Sequence, residues 1–119
     1  MRLPFGLLGG GTLLMLAGCQ AQRPLYYWGN YETLNYLTYS KPEKATLETQ
    51  RERLEEDLQK AKGRNFPAHP GLHAQLGYVC YQLGRLDDAL REFAAEKTLF
   101  PESAVFMNRM IEKTKGGAQ

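Results

Sequence analysis

Two cysteines, two histidines and one tryptophan are all that this 119-residue sequence holds of three residue types that commonly build sites. So few thiols cannot make the disulfide framework that braces small secreted domains. So few imidazoles leave a metal centre short of ligands. Charge of one sign is missing as well: 15 basic residues stand against 13 acidic ones, and without a basic patch a nucleic-acid partner has no electrostatic footprint. No glycine-rich phosphate loop follows a strand. No Ser, His and Asp set or carboxylate pair stands out from ordinary surface charge, so neither an enzyme nor a bound cofactor is expected.

What is present begins at the amino terminus. Arg2 supplies a short basic start, Leu3 to Ala17 form an apolar, glycine-rich run, and Leu16-Ala17-Gly18-Cys19 closes it. This is the pattern of a secretory signal over residues 1–18, too short to span a bilayer as a mature helix. Its ending resembles the lipobox of bacterial lipoproteins. The resemblance implies a diacylglycerol on the Cys19 thiol, cleavage before that cysteine, and acylation of the new amine with a palmitate-like chain. Several acyl chains, each adding about 0.8 kcal/mol per buried methylene, would anchor the protein with no transmembrane helix. Enterobacterial sorting rules place Asp after the cysteine of proteins kept in the inner membrane. Gln20 stands there instead, which implies the outer membrane, with the lipid-anchored chain facing the periplasm. With Cys19 blocked, Cys80 has no partner in the chain and no internal disulfide is expected. Without Arg2, 14 basic residues oppose 13 acidic ones, a net charge of +1 before the amine is acylated.

The mature chain reads as helices and little else. Residues 19–26 form a lipidated tether without periodicity, residues 27–115 a helical domain, and residues 116–119 a flexible tail. Tyr27, Tyr31, Leu34 and Thr38 fall near helical spacing, which predicts a helix from Trp28 to Tyr39. Ser40-Lys41-Pro42-Glu43 fits a capping box with proline near the first turn. A second helix is therefore expected from Pro42 to about Lys62, with Leu47, Leu54, Leu58 and Ala61 on one stripe. Six basic and six acidic residues lie between Lys41 and Lys62 and describe a solvated face, with Glu56 and Lys60 in the favourable i,i+4 order. Gly63 stops the helix, and residues 65–69 form a turn.

From Pro70 to Pro101, Leu72, Leu76, Val79, Cys80 and Leu83 share one helix face, and Leu86, Ala89, Leu90, Phe93 and Lys97 share another. Gly84-Arg85 supplies the tight turn, so the two fold back as an antiparallel pair. This stretch resembles a tetratricopeptide repeat, whose pattern of about 34 residues pairs Leu-Gly in the first helix with later Ala, Phe and Pro. Leu76, Gly77, Gly84, Ala89, Phe93 and Pro101 are in register with it. Two residues depart from the pattern: Cys80 stands where tyrosine is usual, and Glu96 where a small residue is expected, which disfavours tight packing against a following repeat. One repeat length earlier, Glu55 and Gln59 stand where Ala and Phe belong, so the preceding hairpin is a degenerate repeat at most. After Pro101, Ala104, Phe106 or Met107, Met110 and Ile111 mark a capping helix from Glu102 to Lys113. The expected fold is all-α.

Six aromatic rings fall between Leu25 and Tyr39, among them five of the seven tyrosines and the only tryptophan. Two readings stand side by side. Trp28, Tyr31 and Leu34 can supply apolar surface that a small domain needs, with Tyr26 and Tyr27 left exposed beside the tether. Alternatively, Tyr26, Tyr27 and Trp28 face a membrane interface or anchor a partner. The candidate partner-binding residues are Tyr26, Tyr27, Trp28, His73, Tyr78 and Tyr81. His69 and His73 are four apart, a spacing that puts two imidazoles on one helix face. Pro70 interrupts that helix and further ligands are missing, so no metal site is expected; His69 reads as a turn residue and His73 as a repeat-face residue.

The mature chain also resembles a family of small Gram-negative outer-membrane lipoproteins of unassigned function. The carrying residues are the lipobox at Cys19, the block Tyr27-Trp28-Gly29-Asn30-Tyr31-Glu32, the run Pro70-Gly71-Leu72-His73-Ala74-Gln75-Leu76-Gly77, and Glu96-Lys97-Thr98-Leu99-Phe100-Pro101-Glu102-Ser103. The resemblance implies association with a lipoprotein channel like the curli secretion pore and with other envelope lipoproteins or outer-membrane proteins, and self-association is compatible with it. The leading expectation is a helical adaptor for such a partner. A regulator of peptidoglycan synthesis is the alternative, although a tether of about ten residues reaches at most roughly 35 Å inward. A hydrolase or metal protein comes third.

Overall fold

Apolar residues recur at helical spacing from residue 31 onward, and each such stretch forms a helix that turns its stripe inward. The computed structural model describes Arg2, Cys19 and residues 22–117. The rest of the expected signal segment, Gln20 and Ala21 of the tether, and the last two residues of the tail lie outside the described residues. Among the described residues five α-helices follow in order: α1 (Tyr31–Ser40), α2 (Leu47–Gly63), α3 (Leu72–Gln82), α4 (Leu86–Leu99) and α5 (Ala104–Gly116). Short 3-10 turns occupy Pro42–Lys44 and Pro101–Ser103. Among the described residues there is no strand, only one isolated parallel bridge between Tyr27 and Ala68. The fold is all-α, built from helices packed side by side.

The hairpin expected over residues 70–101 is formed by α3 and α4. A Cβ on Gly77 would lie 2.7 Å from the ring of Phe93, so the missing side chain is what lets the two helices meet there. Ala89 is fully buried opposite. Gly84 takes φ +75° in the connecting turn, and the N–H of Arg85 donates to the carbonyl of Cys80 at 2.9 Å. Leu72, Leu76, Val79, Cys80 and Phe93 join Leu34 of α1, Leu54 of α2 and Met107 of α5 in a single core. The choice left open on α5 is decided by packing: Met107 is buried and Phe106 faces out.

The expected capping box at Ser40 does not form. Ser40 ends α1, and Lys41 is extended at φ −145° and ψ 66°, as a residue before proline prefers to be. The chain turns through Pro42–Lys44, and α2 begins only at Leu47, where Thr46 Oγ1 accepts from the N–H of Thr49 at 3.2 Å. The segment before residue 70 is therefore a helix of 10 residues and one of 17 joined by a 3-10 turn. Likewise α5 starts at Ala104, after the turn at Pro101–Ser103.

Glu96 is also unlike its expectation. Its side chain is buried and turns back to the start of α3, where it accepts from the N–H of Gly71 at 2.7 Å and of Ala74 at 3.4 Å. A carboxylate at the positive end of a helix satisfies amides that lack intrahelical partners. It therefore ties α4 to α3, and α5 packs closely along α4.

Candidate functional site

The site is built in two parts, an aromatic end and a groove. At the aromatic end, Gly29 and Asn30 make the turn that starts α1. Asp57, on the inner face of α2 with 0 % exposure, accepts the backbone N–H of Asn30 at 2.9 Å and its side-chain amide at 2.8 Å. Gly29 has φ +44°, and a Cβ there would stand 2.2 Å from Asp57 Oδ1. Only glycine fits both the backbone angle and the space. Asp57 was expected on the solvated face of α2; instead it falls on the stripe of Leu54, Leu58 and Ala61 and clamps the aromatic block. That i, i+3, i+4, i+7 spacing is the signal that could have found it.

Trp28 lies flat on His69, with ring centroids 4.6 Å apart and planes 13° from parallel. Tyr31 meets both rings edge-on, at 5.2 Å from Trp28 and 5.1 Å from His69. The burial expected under the core reading is reversed for the rings: Trp28 and Tyr31 are 45 % and 42 % exposed, whereas Tyr26 and Tyr27 are half-buried. The cause is the backbone of Tyr27, whose N–H donates to the carbonyl of Pro67 at 3.4 Å and holds the segment extended along the loop before α3. Tyr26 then meets Phe100 at 6.1 Å, and the ring buried beneath Trp28 is an imidazole. His69 is 1 % exposed. Its Nδ1 lies 2.9 Å from the carbonyl of Pro70; a carbonyl only accepts, so Nδ1 carries the proton and Nε2 is left buried without a partner.

The groove runs beside Tyr78. Ala74, Gln75 and Tyr78 of α3, Phe93 of α4, and Phe106 and Met110 of α5 line a hollow of about 430 Å³. On the other flank, Gln75, Tyr78, Val79 and Gln82 join Asn35, Thr38 and Tyr39 of α1 and Leu47 and Gln50 of α2 around about 390 Å³. None of these side chains carries a charge. Aromatic and aliphatic surface here can bury apolar groups, and the amides of Gln50, Gln75 and Gln82 can pair with a backbone.

The sequence-predicted binding residues are spread over three places. Tyr78 lies in the groove. Tyr81 stacks on Tyr78 at 6.5 Å, but it is half-buried against the core, with the Lys113 ammonium 5.6 Å from its ring. Tyr26, Tyr27 and Trp28 form the aromatic end. His73 belongs to neither: its Nδ1 is 2.6 Å from Glu92 Oε2, and it lines a separate hollow with Leu58, Phe66 and Leu99. His69 and His73 thus have different partners, and among the described residues no group of three or more His, Cys, Asp and Glu is arranged to hold a metal. Cys80 is buried, and burial pushes its thiol pKa up, with the nearby charge of Asp88 adding to the shift. That holds the thiol protonated and unreactive. Cys19 is exposed, and both cysteines are free. Phe106, Met110, Gln75 and Tyr39 were missed as site residues, because only the stacking of α1, α3 and α5 brings them together. Among the described residues no helix is long and apolar enough to cross a membrane.

No curated protein and no solved structure matches this chain. The sequence profile of a domain of unknown function, DUF4810, matches residues 25–110, from the start of the aromatic block to the groove residue Met110, and the chain belongs to that family.

Proposed function

We propose that this protein is a lipid-anchored helical adaptor of the outer membrane, facing the periplasm, that holds an uncharged apolar segment of a protein partner. The observation that carries the reading is the groove beside Tyr78, which is wide, open and lined without charge across α3, α4 and α5. Tetratricopeptide-like hairpins bind extended or helical segments along such surfaces. Exposed Phe106 and Tyr78 are the anchors, because large rings that a partner covers and removes from water contribute most to binding. The partner proposed is another envelope lipoprotein or an outer-membrane protein, in a complex like that of the curli channel. The anchor at Cys19 keeps both proteins at one membrane surface. No catalytic step is proposed.

The test places a photocrosslinking residue at Phe106 in cells, with Glu52 on the solvated side of α2 as the control site. The expected adduct joins Phe106 to an apolar, uncharged segment of an envelope protein and is lost in Gln75→Arg and Met110→Lys; because Met110 packs against the core, circular dichroism melting of both variants checks that the fold is kept. An adduct mapped to a charged segment, or one that survives both substitutions, overturns the reading.

A further inference from the structure

We infer that the aromatic end of the bundle docks on the bilayer surface, with Leu25 and Trp28 at the level of the lipid headgroups. The inference rests on the lipid anchor of the reading above and adds an orientation to it. Five residues lie between Cys19 and Leu25, and the six extended steps from one to the other reach at most roughly 21 Å. Acyl chains on Cys19 therefore keep this end within a short reach of the membrane.

The chemistry of that end suits the place. Leu25 is 79 % exposed, and Leu99 and Trp28 add further bare apolar surface. Arg23 stacks its guanidinium 4.4 Å from the ring of Phe66, and Arg64 lies 5.2 Å from that of Tyr27. Lys62 lines the same hollow as Phe66 and Leu99. Exposed aromatic rings mixed with basic heads on apolar stems are the composition favoured at a membrane interface, where rings sit among headgroups and cations meet phosphates. Asp57, whose carboxylate would oppose that attraction, is turned inward onto Asn30. The clamp it makes also holds Trp28 rigid on His69, so docking orders no loose segment. Tyr78 lies seven residues beyond Gly71 along α3, about 10 Å further along its axis, which leaves the groove open to a protein while this end is occupied by lipid.

The sequence contains one tryptophan, so emission from the full lipidated protein reports Trp28 alone. The protein is reconstituted in vesicles of phosphatidylethanolamine with a minor share of phosphatidylglycerol, and the Cys19 peptide is weighed by mass spectrometry from the same sample. The expected result is quenching of Trp28 by acyl-brominated lipids and protection from iodide, both reversed in Leu25→Glu with the anchor intact. Lipidated Cys19 with emission quenched by iodide but not by brominated lipid overturns the docking alone. Emission shielded from both quenchers means that protein covers the ring, and overturns it too. Cys19 recovered without lipid removes the anchor reading and the docking together.

Discussion

Asp57 and Asn30, 27 residues apart in sequence, are joined twice: one carboxylate oxygen takes the Asn30 backbone N–H and the other its side-chain amide. A buried charge whose acceptors are filled in this way is stabilising. Left unpaired, it is costly. Asp57→Ala is expected to lower stability by about 1.5 to 3 kcal/mol, the range for hydrogen bonds to a charged group. It also releases Trp28 from His69, and red-shifted tryptophan emission at temperatures below melting checks that second effect. Unchanged emission with a lower melting temperature would mean that the stack is held by the loop alone.

Gly77 and Phe93 define how near α3 and α4 can lie. Gly77→Ala forces a methyl group to within 2.7 Å of the ring, and overpacking of this kind costs about 1 to 3 kcal/mol. Thermal melting followed by circular dichroism measures it. Phe93→Leu in the same chain should recover part of the loss by making room.

The cap made by Glu96 predicts a graded series. Glu96→Gln keeps an acceptor near Gly71 and loses only the charge at the helix start, whereas Glu96→Ala leaves two amides of α3 bare. The alanine variant is expected to lose about 1 to 2 kcal/mol, as for other lost N-caps, with the glutamine variant between it and the native protein. Equal losses would show that charge alone matters.

Burial raises the Cys80 pKa, so the unfolded chain loses its thiol proton at lower pH than the folded one. The stability this contributes is complete below the ordinary thiol value and is lost as pH rises through the folded one. In a Cys19→Ser background, melting temperature should therefore fall more steeply with alkaline pH than in Cys80→Ala. Iodoacetamide should label Cys80 far more slowly in the folded chain than in urea; equal rates would contradict its place in the core.

Cys19→Ser removes the thiol on which the proposed lipid anchor rests. The variant is expected to leave the outer-membrane fraction, and its persistence there after a high-salt wash would remove the main support for lipid anchoring.

Much of the fold was legible because local rules act locally. The stripes of Leu47, Leu54, Leu58 and Ala61, and of Leu72, Leu76, Val79 and Cys80, identify their own helices through periodicity. Gly77, Gly84, Ala89 and Phe93 mark a hairpin because small residues and turn residues have few other uses at that spacing. The helix start near residue 40 was misplaced because the same four residues satisfy a capping pattern and a proline-led 3-10 turn, and the difference lies in where the following chain must go.

The aromatic block shows the remaining division. Its composition, its glycine and its nearness to Cys19 belong to the sequence alone. Which rings are buried does not, because Trp28 and Tyr27 differ little in hydrophobicity and their exposure depends on the bridge to Ala68 and on His69 lying underneath. The sequence by itself determined five helices, one tight hairpin and a charge-poor set of large side chains, since these follow from periodicity, turn chemistry and composition. Tertiary structure alone decided that Asp57 is a clamp, that Glu96 is a cap and that Tyr78, Phe106 and Met110 share a groove. Those roles are set by distances between residues far apart in the chain, and no local pattern encodes them.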